Sequence, residues 1–357
     1  MSDVVISGYY GFRNNGDDAL LMSIINDLKS EKPDIEIVVL SKNPAETERI
    51  YNVRAVNRQD LFGVVKEIKR TRMLISGGGT LIQDGTSTKS LMYYLSIISV
   101  ALMLGKKVML YANGIGPLSS KLNRRITAGV LNKVNIITLR DEVSFSELKE
   151  IGVHKPNIEI TADPAFNLKY DGSTKNRKGK MLVSVRPWKK LKGDFCEVLA
   201  KVCDYASTQY GLEIVFLPMQ RRVDEEITGR IRDIMSAKSD VMDADYDINK
   251  LLTVFEDMDL CLGMRLHTLI YSAVTCTPLV GLVYDPKVNG FLDYIGIGNQ
   301  VDVETITYEQ LKTAVDKSMS DTEKQYSELL KKREELKGKA DRNVQLAIEL
   351  LDGGEHR

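Results

Sequence analysis

The sequence predicts an α/β protein built from two parallel-sheet domains, and three observations support this prediction. Short β-branched runs alternate with longer amphipathic stretches along the 357-residue chain, as in repeated strand–helix–strand units. The alternation stops at a polar, basic segment and restarts after it. The length also suits two domains of ordinary size. We therefore expect two Rossmann-like domains that face a cleft.

The expected boundaries follow from these breaks. The first domain spans residues 1–168, the linker residues 169–180 and the second domain residues 181–320. Residues 321–357 are charged, with apolar positions at helical spacing. We expect these last residues to form a helix that packs back on the first domain, followed by a tail.

The predicted strands are apolar on both faces, which is typical of parallel strands covered by helices on both sides. In the first half they are Val4–Ser7, Ile35–Leu40, Met73–Ser76, Val108–Ala112 and Ile136–Leu139. In the second half they are Met181–Val185, Glu213–Leu217, Asp259–Leu262 and Leu279–Val283. Ligands of open α/β sheets bind beyond the carboxyl ends of the strands. The loops that follow these runs are therefore where functional residues are expected.

Composition excludes several classes of protein. Lys plus Arg and Asp plus Glu both number 49, and this zero net charge argues against a nucleic-acid partner. The four cysteines form no C-x-x-C pair, so we expect neither a disulfide framework nor a zinc site, but a reducing, cytoplasmic setting. The amino terminus has no signal-peptide pattern. The longest apolar run, Leu91–Leu104, is too short to span a bilayer and predicts a buried helix, with a shallow membrane-contacting helix as the alternative.

The first loop, Gly8–Asp18, reads GYYGFRNNGDD and leads into a predicted helix. Free N–H groups at a helix start suit anions. The loop is not a phosphate-binding Walker A motif, because Asp17 stands where that motif needs Lys. Asn15, Asp17 and Asp18 are able to hydrogen-bond hydroxyl groups or accept protons, while capping of the helix is the alternative role for an aspartate here.

Two more loops of the first half carry candidate residues. Gly78 and Gly79 follow the third strand and let a ligand approach the backbone closely, with Gln83 shortly after them. Arg140 ends another strand, where a buried guanidinium needs a partner. That partner is either Asp163 or a ligand carboxylate.

In the second half, the turn Arg186–Lys192 carries four cations and the only Trp of the chain. It suits a phosphorylated or pyrophosphate-bearing ligand, or anionic lipid headgroups, with a solvated turn as the alternative. The strongest cluster is Gly263–His267, reading GMRLH, at a strand-to-helix turn. With Lys287 in the next loop, Arg265 and His267 form a cationic pocket for a small, multiply anionic molecule.

One metal-site pattern fails. Asp243, Asp245 and Asp247 have the spacing of a calcium-binding EF-hand loop, but Ile248 replaces the required Gly and Val254 the bidentate Glu. We therefore expect no metal.

At these loops the sequence resembles the polysaccharide pyruvyl transferase family, most closely its CsaB-type members, which modify bacterial secondary cell-wall polymers. The matching stretches keep the family's order over most of the chain: Gly8–Leu20, Gly77–Asp84, Asn113–Pro117, Leu139–Ser144, Asp163–Pro164 and Gly263–His267 with Lys287. Arg13 departs from the pattern, since many relatives have Gly there.

The resemblance implies a GT-B-like fold and phosphoenolpyruvate as the donor substrate, with no cofactor. The first domain is then the acceptor side and the second the phosphoenolpyruvate side. The acceptor is an N-acetylmannosamine unit of a lipid-linked saccharide at the inner face of the cell membrane. The product is a cyclic pyruvate ketal, and phosphate is released.

Residue roles follow from that chemistry. His267 is the candidate general acid for the methylene carbon, and Asp17 or Asp18 is the candidate base for the acceptor hydroxyls. The candidate substrate-binding residues are Arg265, Lys287, Arg186, Arg140, Asn15, Tyr10, Gly78, Gly79 and Gln83. Two alternatives stay open, a nucleotide-sugar glycosyltransferase on the same architecture and a non-catalytic protein that binds an anionic glycan. The sequence leaves the oligomeric state open.

Overall fold

The computed structural model describes residues 2–168, 178–242, 248–296 and 299–353. The chain forms two compact units. Unit 1 comprises Met1–Leu168 and Leu336–Arg357, and unit 2 comprises Lys169–Glu335. Most of the predicted linker and the acidic segment 243–247 lie outside the described residues.

Unit 1 contains a seven-stranded parallel sheet in the order β3-β2-β1-β4-β5-β6-β7. Its strands are β1 (Val4–Tyr10), β2 (Ile37–Ser41), β3 (Arg54–Asn57), β4 (Met73–Gly77), β5 (Lys107–Asn113), β6 (Ile136–Leu139) and β7 (Asn157–Ile160). Its helices are α1 (Asn15–Glu31), α2 (Pro44–Tyr51), α3 (Leu61–Arg70), α4 (Thr88–Met103), α5 (Lys121–Leu131) and α6 (Glu142–Glu150), followed by a short 3₁₀ helix, Pro164–Asn167. The strand order reverses beside β1, so the loops after β1 and β4 open at the position where such sheets bind ligands.

Unit 2 contains a six-stranded parallel sheet in the order β10-β9-β8-β11-β12-β13. Its strands are β8 (Lys180–Ser184), β9 (Glu213–Phe216), β10 (Ser239–Val241), β11 (Leu260–Gly263), β12 (Leu279–Val283) and β13 (Asn299–Asp302). Its helices are α7 (Phe195–Tyr210), α8 (Arg221–Ile234), α9 (Ile248–Glu256), α10 (Leu266–Val274), α11 (Pro286–Ile295) and α12 (Tyr308–Ser320). The last helix, α13 (Thr322–Asp352), begins in unit 2 and ends in unit 1. As in unit 1, the order reverses at the first strand, here β8.

The carboxyl-terminal part of α13 completes the core of unit 1. Val344, Ala347 and Leu351 are buried in the same apolar cluster as β1. The fully buried Asn343 accepts a hydrogen bond from Thr161 Oγ1 at 2.8 Å and donates to the carbonyl of Ala162 at 3.1 Å. The two parallel-sheet units and this returning helix confirm the predicted fold class.

The apolar run that contains α4 is a core element. Leu91, Leu95 and Ile98 are buried between α4 and the sheet, which confirms the expected buried helix, whereas Met103 at its end is exposed. Among the described helices, none combines the length and the apolar character needed to cross a bilayer.

The sequence analysis missed the edge strands β3, β7, β10 and β13. Their residues are mostly exposed or partly buried, so they carry no continuous apolar run. A strand at the edge of a sheet has only one neighbour and needs less apolar sequence than a central strand.

Candidate functional site

The loop after β1 places two carboxylates in the first turn of α1. Asn14 caps this helix, because its side-chain oxygen accepts a hydrogen bond from the Gly16 amide at 3.2 Å. The capping role that was the alternative for the aspartates therefore belongs to Asn14. Asp17 and Asp18 are half-buried residues at the positive end of the helix.

The glycine loop after β4 packs directly against this turn. Gly78 and Gly79 have φ values of 54° and 71°, which favour glycine. A Cβ on Gly79 would lie 3.1 Å from Asp17 Oδ1, and one on Gly78 would lie 2.9 Å from Leu20 Cβ. The absence of side chains here lets the loop and the first turn of α1 approach each other. The structure thus brings Asp17 and the two predicted glycines together.

Both carboxylates hold their protons more tightly than ordinary aspartates. Burial raises the pKa of Asp17 to about 7, repulsion from Asp18 adds to the shift, and attraction to Arg140 opposes it. Burial and repulsion from Glu46 raise the pKa of Asp18 to about 7. A carboxyl group that titrates near neutrality is suited to proton transfer at working pH.

Arg140 has a protein partner. Its Nη1 donates to Asp163 Oδ2 at 2.6 Å and its Nη2 to Thr80 Oγ1 at 3.2 Å. Both members of the ion pair are buried, at 8% and 4% exposure, so each charge needs the other. The sequence allowed either Asp163 or a ligand carboxylate as the partner of Arg140, and in the structure Asp163 is paired with it. Arg140 ties the segment after Gly79 to the 3₁₀ helix and acts electrostatically on Asp17.

Three other predicted binding residues have different environments. Tyr10 is 1% exposed, and its hydroxyl donates to the Gly77 carbonyl at 2.9 Å. Its ring is enclosed and its hydroxyl supports the glycine loop, and a contact of Tyr10 with substrate stays a prediction. Asn15 is also buried, and the Gln83 side chain is hydrogen-bonded to Thr86 at 2.6 and 2.9 Å. The ligand-binding roles of Asn15 and Gln83 stay predictions.

The sequence analysis missed a cation that shapes the first loop. Arg58, 9% exposed, donates to the Gly8 carbonyl at 2.9 Å and lies 4.3 Å from the ring centroid of Tyr93. It also lies 5.2 Å from the ring of Phe12, which stacks on Tyr9. No motif marks Arg58, since its partners lie elsewhere in the sequence.

Unit 2 gathers its cations at the carboxyl ends of three neighbouring strands. Arg186 follows β8, Arg265 and His267 follow β11, and Lys287 follows β12. Because these parallel strands are adjacent, their following loops share one edge of the sheet. His267 lies in the first turn of α10 and Lys287 in the first turn of α11. The structure brings the four predicted residues to one edge of unit 2.

Two aromatic residues extend this edge. Arg186 Nη1 donates to the Tyr284 hydroxyl at 3.2 Å, and the Trp188 ring lies 5.0 Å from the Tyr284 ring. The Nε of Arg186 and the indole Nε1 of Trp188 are buried and have no hydrogen-bond partner among the described groups. Buried donors without partners are rare, and two on residues that both contact Tyr284 are suited to a ligand rich in acceptors.

Arg265 is held by an aspartate that the sequence analysis missed. Its Nε donates to Asp224 Oδ2 at 3.1 Å, and its Nη2 makes a shorter contact with Asp224 Oδ1. The Asp224 side chain is fully buried, and its carboxylate also accepts a hydrogen bond from the backbone amide of Gln220 at 3.0 Å. A bidentate pair of this kind fixes the plane of the guanidinium. Asp224 lies 41 residues before Arg265 on an ordinary amphipathic helix, so no local pattern links them.

No cluster of three or more His, Cys, Asp or Glu side chains within the described ranges is placed to bind a metal ion.

Comparisons with known proteins show which family this chain is similar to. A family model described as polysaccharide pyruvyl transferase matches residues 14–286. The amylovoran biosynthesis protein AmsJ of Erwinia amylovora is 23% identical over an alignment of 370 positions, gaps included, that covers 85% of this chain and 88% of AmsJ.

Solved structures with little sequence identity share the fold. The UDP-GlcNAc 2-epimerase of Methanocaldococcus jannaschii aligns with a TM-score of 0.68 at 13% identity, covering 99% of this chain and 100% of its own. HepE of Anabaena, solved in complex with UDP-glucose, aligns with a TM-score of 0.66 at 10% identity and the same coverage. These likenesses show a GT-B-like fold.

The raised pKa of Asp17 predicts a change in stability. Its folded-state pKa is about 7, so the folded chain binds this proton more tightly than the unfolded chain does. Its contribution to the free energy of unfolding therefore falls as pH rises from about 4 to about 7 and stays low above that. We expect Asp17→Asn to raise the unfolding free energy at pH 8 by roughly 1–2 kcal/mol, measured by urea denaturation and circular dichroism. Asp34→Asn, an exposed control, should change it by less than about 0.5 kcal/mol. Equal effects of the two variants would contradict the burial argument.

The Arg265–Asp224 pair predicts a second stability effect. Asp224→Ala leaves the Arg265 guanidinium without its buried partner and should destabilise unit 2 by about 3 kcal/mol. Fluorescence of Trp188, the only Trp of the chain, reports unfolding of this unit in urea. Asp233→Ala on the exposed face of the same helix is the matched control. A loss no greater than that of the control would show that the pair does not stabilise the unit.

Proposed function

The chain belongs to the polysaccharide pyruvyl transferase family, and we propose that it transfers the enolpyruvyl unit of phosphoenolpyruvate to a sugar and releases phosphate. The family match and the AmsJ relative support a pyruvyltransferase that acts on polysaccharide. The donor, the ketal product and the acceptor sugar are the proposed part.

The choice of phosphoenolpyruvate as the donor substrate rests on the positive charges and hydrogen-bond donors at one edge of unit 2. Arg186, Arg265 and Lys287 come from the loops after three adjacent strands. The buried Arg186 Nε and Trp188 Nε1 add two unused hydrogen-bond donors. Phosphoenolpyruvate carries a carboxylate and a phosphate on the same carbon, C2, so it presents the hydrogen-bond acceptors that such a set requires. Because Asp224 neutralises Arg265 in part, Arg265 serves as a fixed directional donor more than as a source of net charge.

The chemistry needs three proton transfers, one to carbon and one from each of two hydroxyls, and no redox step. An acceptor hydroxyl oxygen bonds to C2 of phosphoenolpyruvate while the methylene carbon takes a proton and becomes a methyl group. The bond from C2 to the phosphate oxygen then breaks, phosphate leaves, and a second hydroxyl of the same sugar bonds to C2. Of the two protons that the hydroxyls lose, one balances the proton gained by the methylene carbon and the other leaves with the phosphate, and the product is a cyclic ketal.

We assign these proton transfers to the predicted residues. His267 supplies the proton to the methylene carbon, because imidazole changes charge near neutral pH. Asp17 or Asp18 accepts the hydroxyl proton, and a pKa near 7 makes either carboxyl a stronger base than an ordinary aspartate. The resemblance to CsaB-type enzymes supports a lipid-linked acceptor that contains N-acetylmannosamine, at the cytoplasmic face of the membrane.

The alternative enzyme is a nucleotide-sugar transferase, since HepE on the same fold was solved with UDP-glucose. Phosphate release from phosphoenolpyruvate in the presence of a panel of lipid-linked disaccharides separates the two. We expect release that saturates with phosphoenolpyruvate and requires acceptor. Turnover with UDP-glucose alone would favour the alternative, and binding of acceptor without release from either donor would favour a non-catalytic glycan-binding protein.

His267→Gln separates proton donation from anion binding. Glutamine keeps a hydrogen-bond donor but supplies no proton at working pH, so kcat should fall by about 10²–10³ while phosphoenolpyruvate still binds. Quenching of Trp188 fluorescence measures that binding directly, because this residue lies at the proposed donor site. His154→Gln, an exposed histidine outside the site, is the control and should keep full turnover. Near-normal turnover with a raised KM in His267→Gln would make His267 an anion ligand instead.

A further inference from the structure

Helix α3 exposes a surface that the core of unit 1 does not use. Leu61, Phe62 and Val65 are 63%, 90% and 42% exposed. Its inward side chains, Val64 and Ile68, are almost fully buried. Isolated exposed apolar residues are common, but these three are neighbours on the first turns of one helix. They form a local apolar surface with no structural role inside the unit.

The same side of α3 is basic towards its end. Lys66, Lys69 and Arg70 are exposed and, at 100° per residue, fall on the same half of the helix as the apolar three. This half carries no acidic residue. Glu67 points inward, is 7% exposed and is paired with Arg54 at 3.2 Å. We call the six exposed residues the α3 face: Leu61, Phe62, Val65, Lys66, Lys69 and Arg70.

We propose that the α3 face docks on a bilayer that contains anionic lipids. Apolar side chains of such a face enter the boundary between headgroups and acyl chains, and lysine and arginine contact the lipid phosphates. Charge complementarity favours this occupant, because the three cations that border the apolar residues have no ion-pair partner among the residues that the structure describes. The chain has no net charge, so the attraction is a property of this surface and not of the whole protein.

The position of the α3 face adds a consequence for catalysis. Helix α3 begins just after β3, so Leu61 and Phe62 lie at the carboxyl edge of the unit 1 sheet, as does Asp17 after the parallel strand β1. Docking through these residues would bring that edge towards lipid headgroups, where a lipid-linked acceptor is presented. This consequence rests on the proposed function, whereas docking itself does not.

Co-sedimentation of the full chain with vesicles tests the proposal. We expect binding to vesicles of phosphatidylcholine with 30% phosphatidylglycerol, and at least about tenfold weaker binding to phosphatidylcholine alone. Phe62→Glu should weaken binding to the anionic vesicles by about tenfold or more. Leu122→Glu is the matched control, because Leu122 is 65% exposed on α5, away from α3, and should bind as the wild type does. Circular dichroism checks that both variants fold.

Three results would overturn the proposal. They are no binding of the wild type to anionic vesicles, equal binding of the wild type and Phe62→Glu, and a wild-type dimer that Phe62→Glu converts to a monomer. The last would make the face a contact between copies of the chain. Phosphate release with a water-soluble acceptor tests the proposed pyruvyltransferase activity separately from membrane docking. Phe62→Glu should leave that rate unchanged, and a wild type without phosphate release would leave the vesicle result standing.

Discussion

Every candidate functional residue depends on one constraint, the parallel direction of the strands within each sheet. Parallel pairing places all carboxyl ends of a sheet on the same edge, and the loops that follow them must begin there. In unit 1 this brings the carboxylates after β1 against the glycines after β4. In unit 2 it brings Arg186, Arg265 and Lys287 to one edge from three loops far apart in the sequence. An antiparallel partner at any of these positions would send its loop to the opposite edge.

Each unit fixes an arginine at this edge with a buried aspartate. Arg140 is paired with Asp163 in unit 1, and Arg265 with Asp224 in unit 2. Burying a charge is costly, and a buried pair contributes little net stability compared with an apolar pair of the same size. Its benefit is direction, because two hydrogen bonds set the plane of a guanidinium. The loss of either aspartate would leave a charge that the surroundings do not solvate.

The two edges have opposite chemical character. The unit 1 edge carries carboxyl groups whose pKa is raised to about 7, chiefly by burial. The unit 2 edge carries cations and buried N–H donors. Proton acceptance and anion binding make opposite electrostatic demands, since a cluster of cations beside an aspartate would lower its pKa and weaken it as a base. Separate sheets let each set keep the environment that its proposed role needs.

The sequence by itself determined the fold class and most of the candidate residues. Alternation of apolar runs and helical periods reports local burial, and a glycine or a charged residue directly after such a run is visible without any partner. Tertiary structure alone decided which side chains meet. Asp163 is 23 residues from Arg140, and Asp224 is 41 residues from Arg265. Tyr10 has the position of a ligand-binding residue in the sequence. In the structure its ring is enclosed in the core, and its hydroxyl donates a hydrogen bond to the carbonyl of Gly77, 67 residues away. The pKa of Asp17 likewise depends on what surrounds it. The hydrophobic periodicity of the sequence shows which face of a helix or strand is buried. It does not show which distant residue packs against that face, because this depends on how the strands pair in the folded sheet.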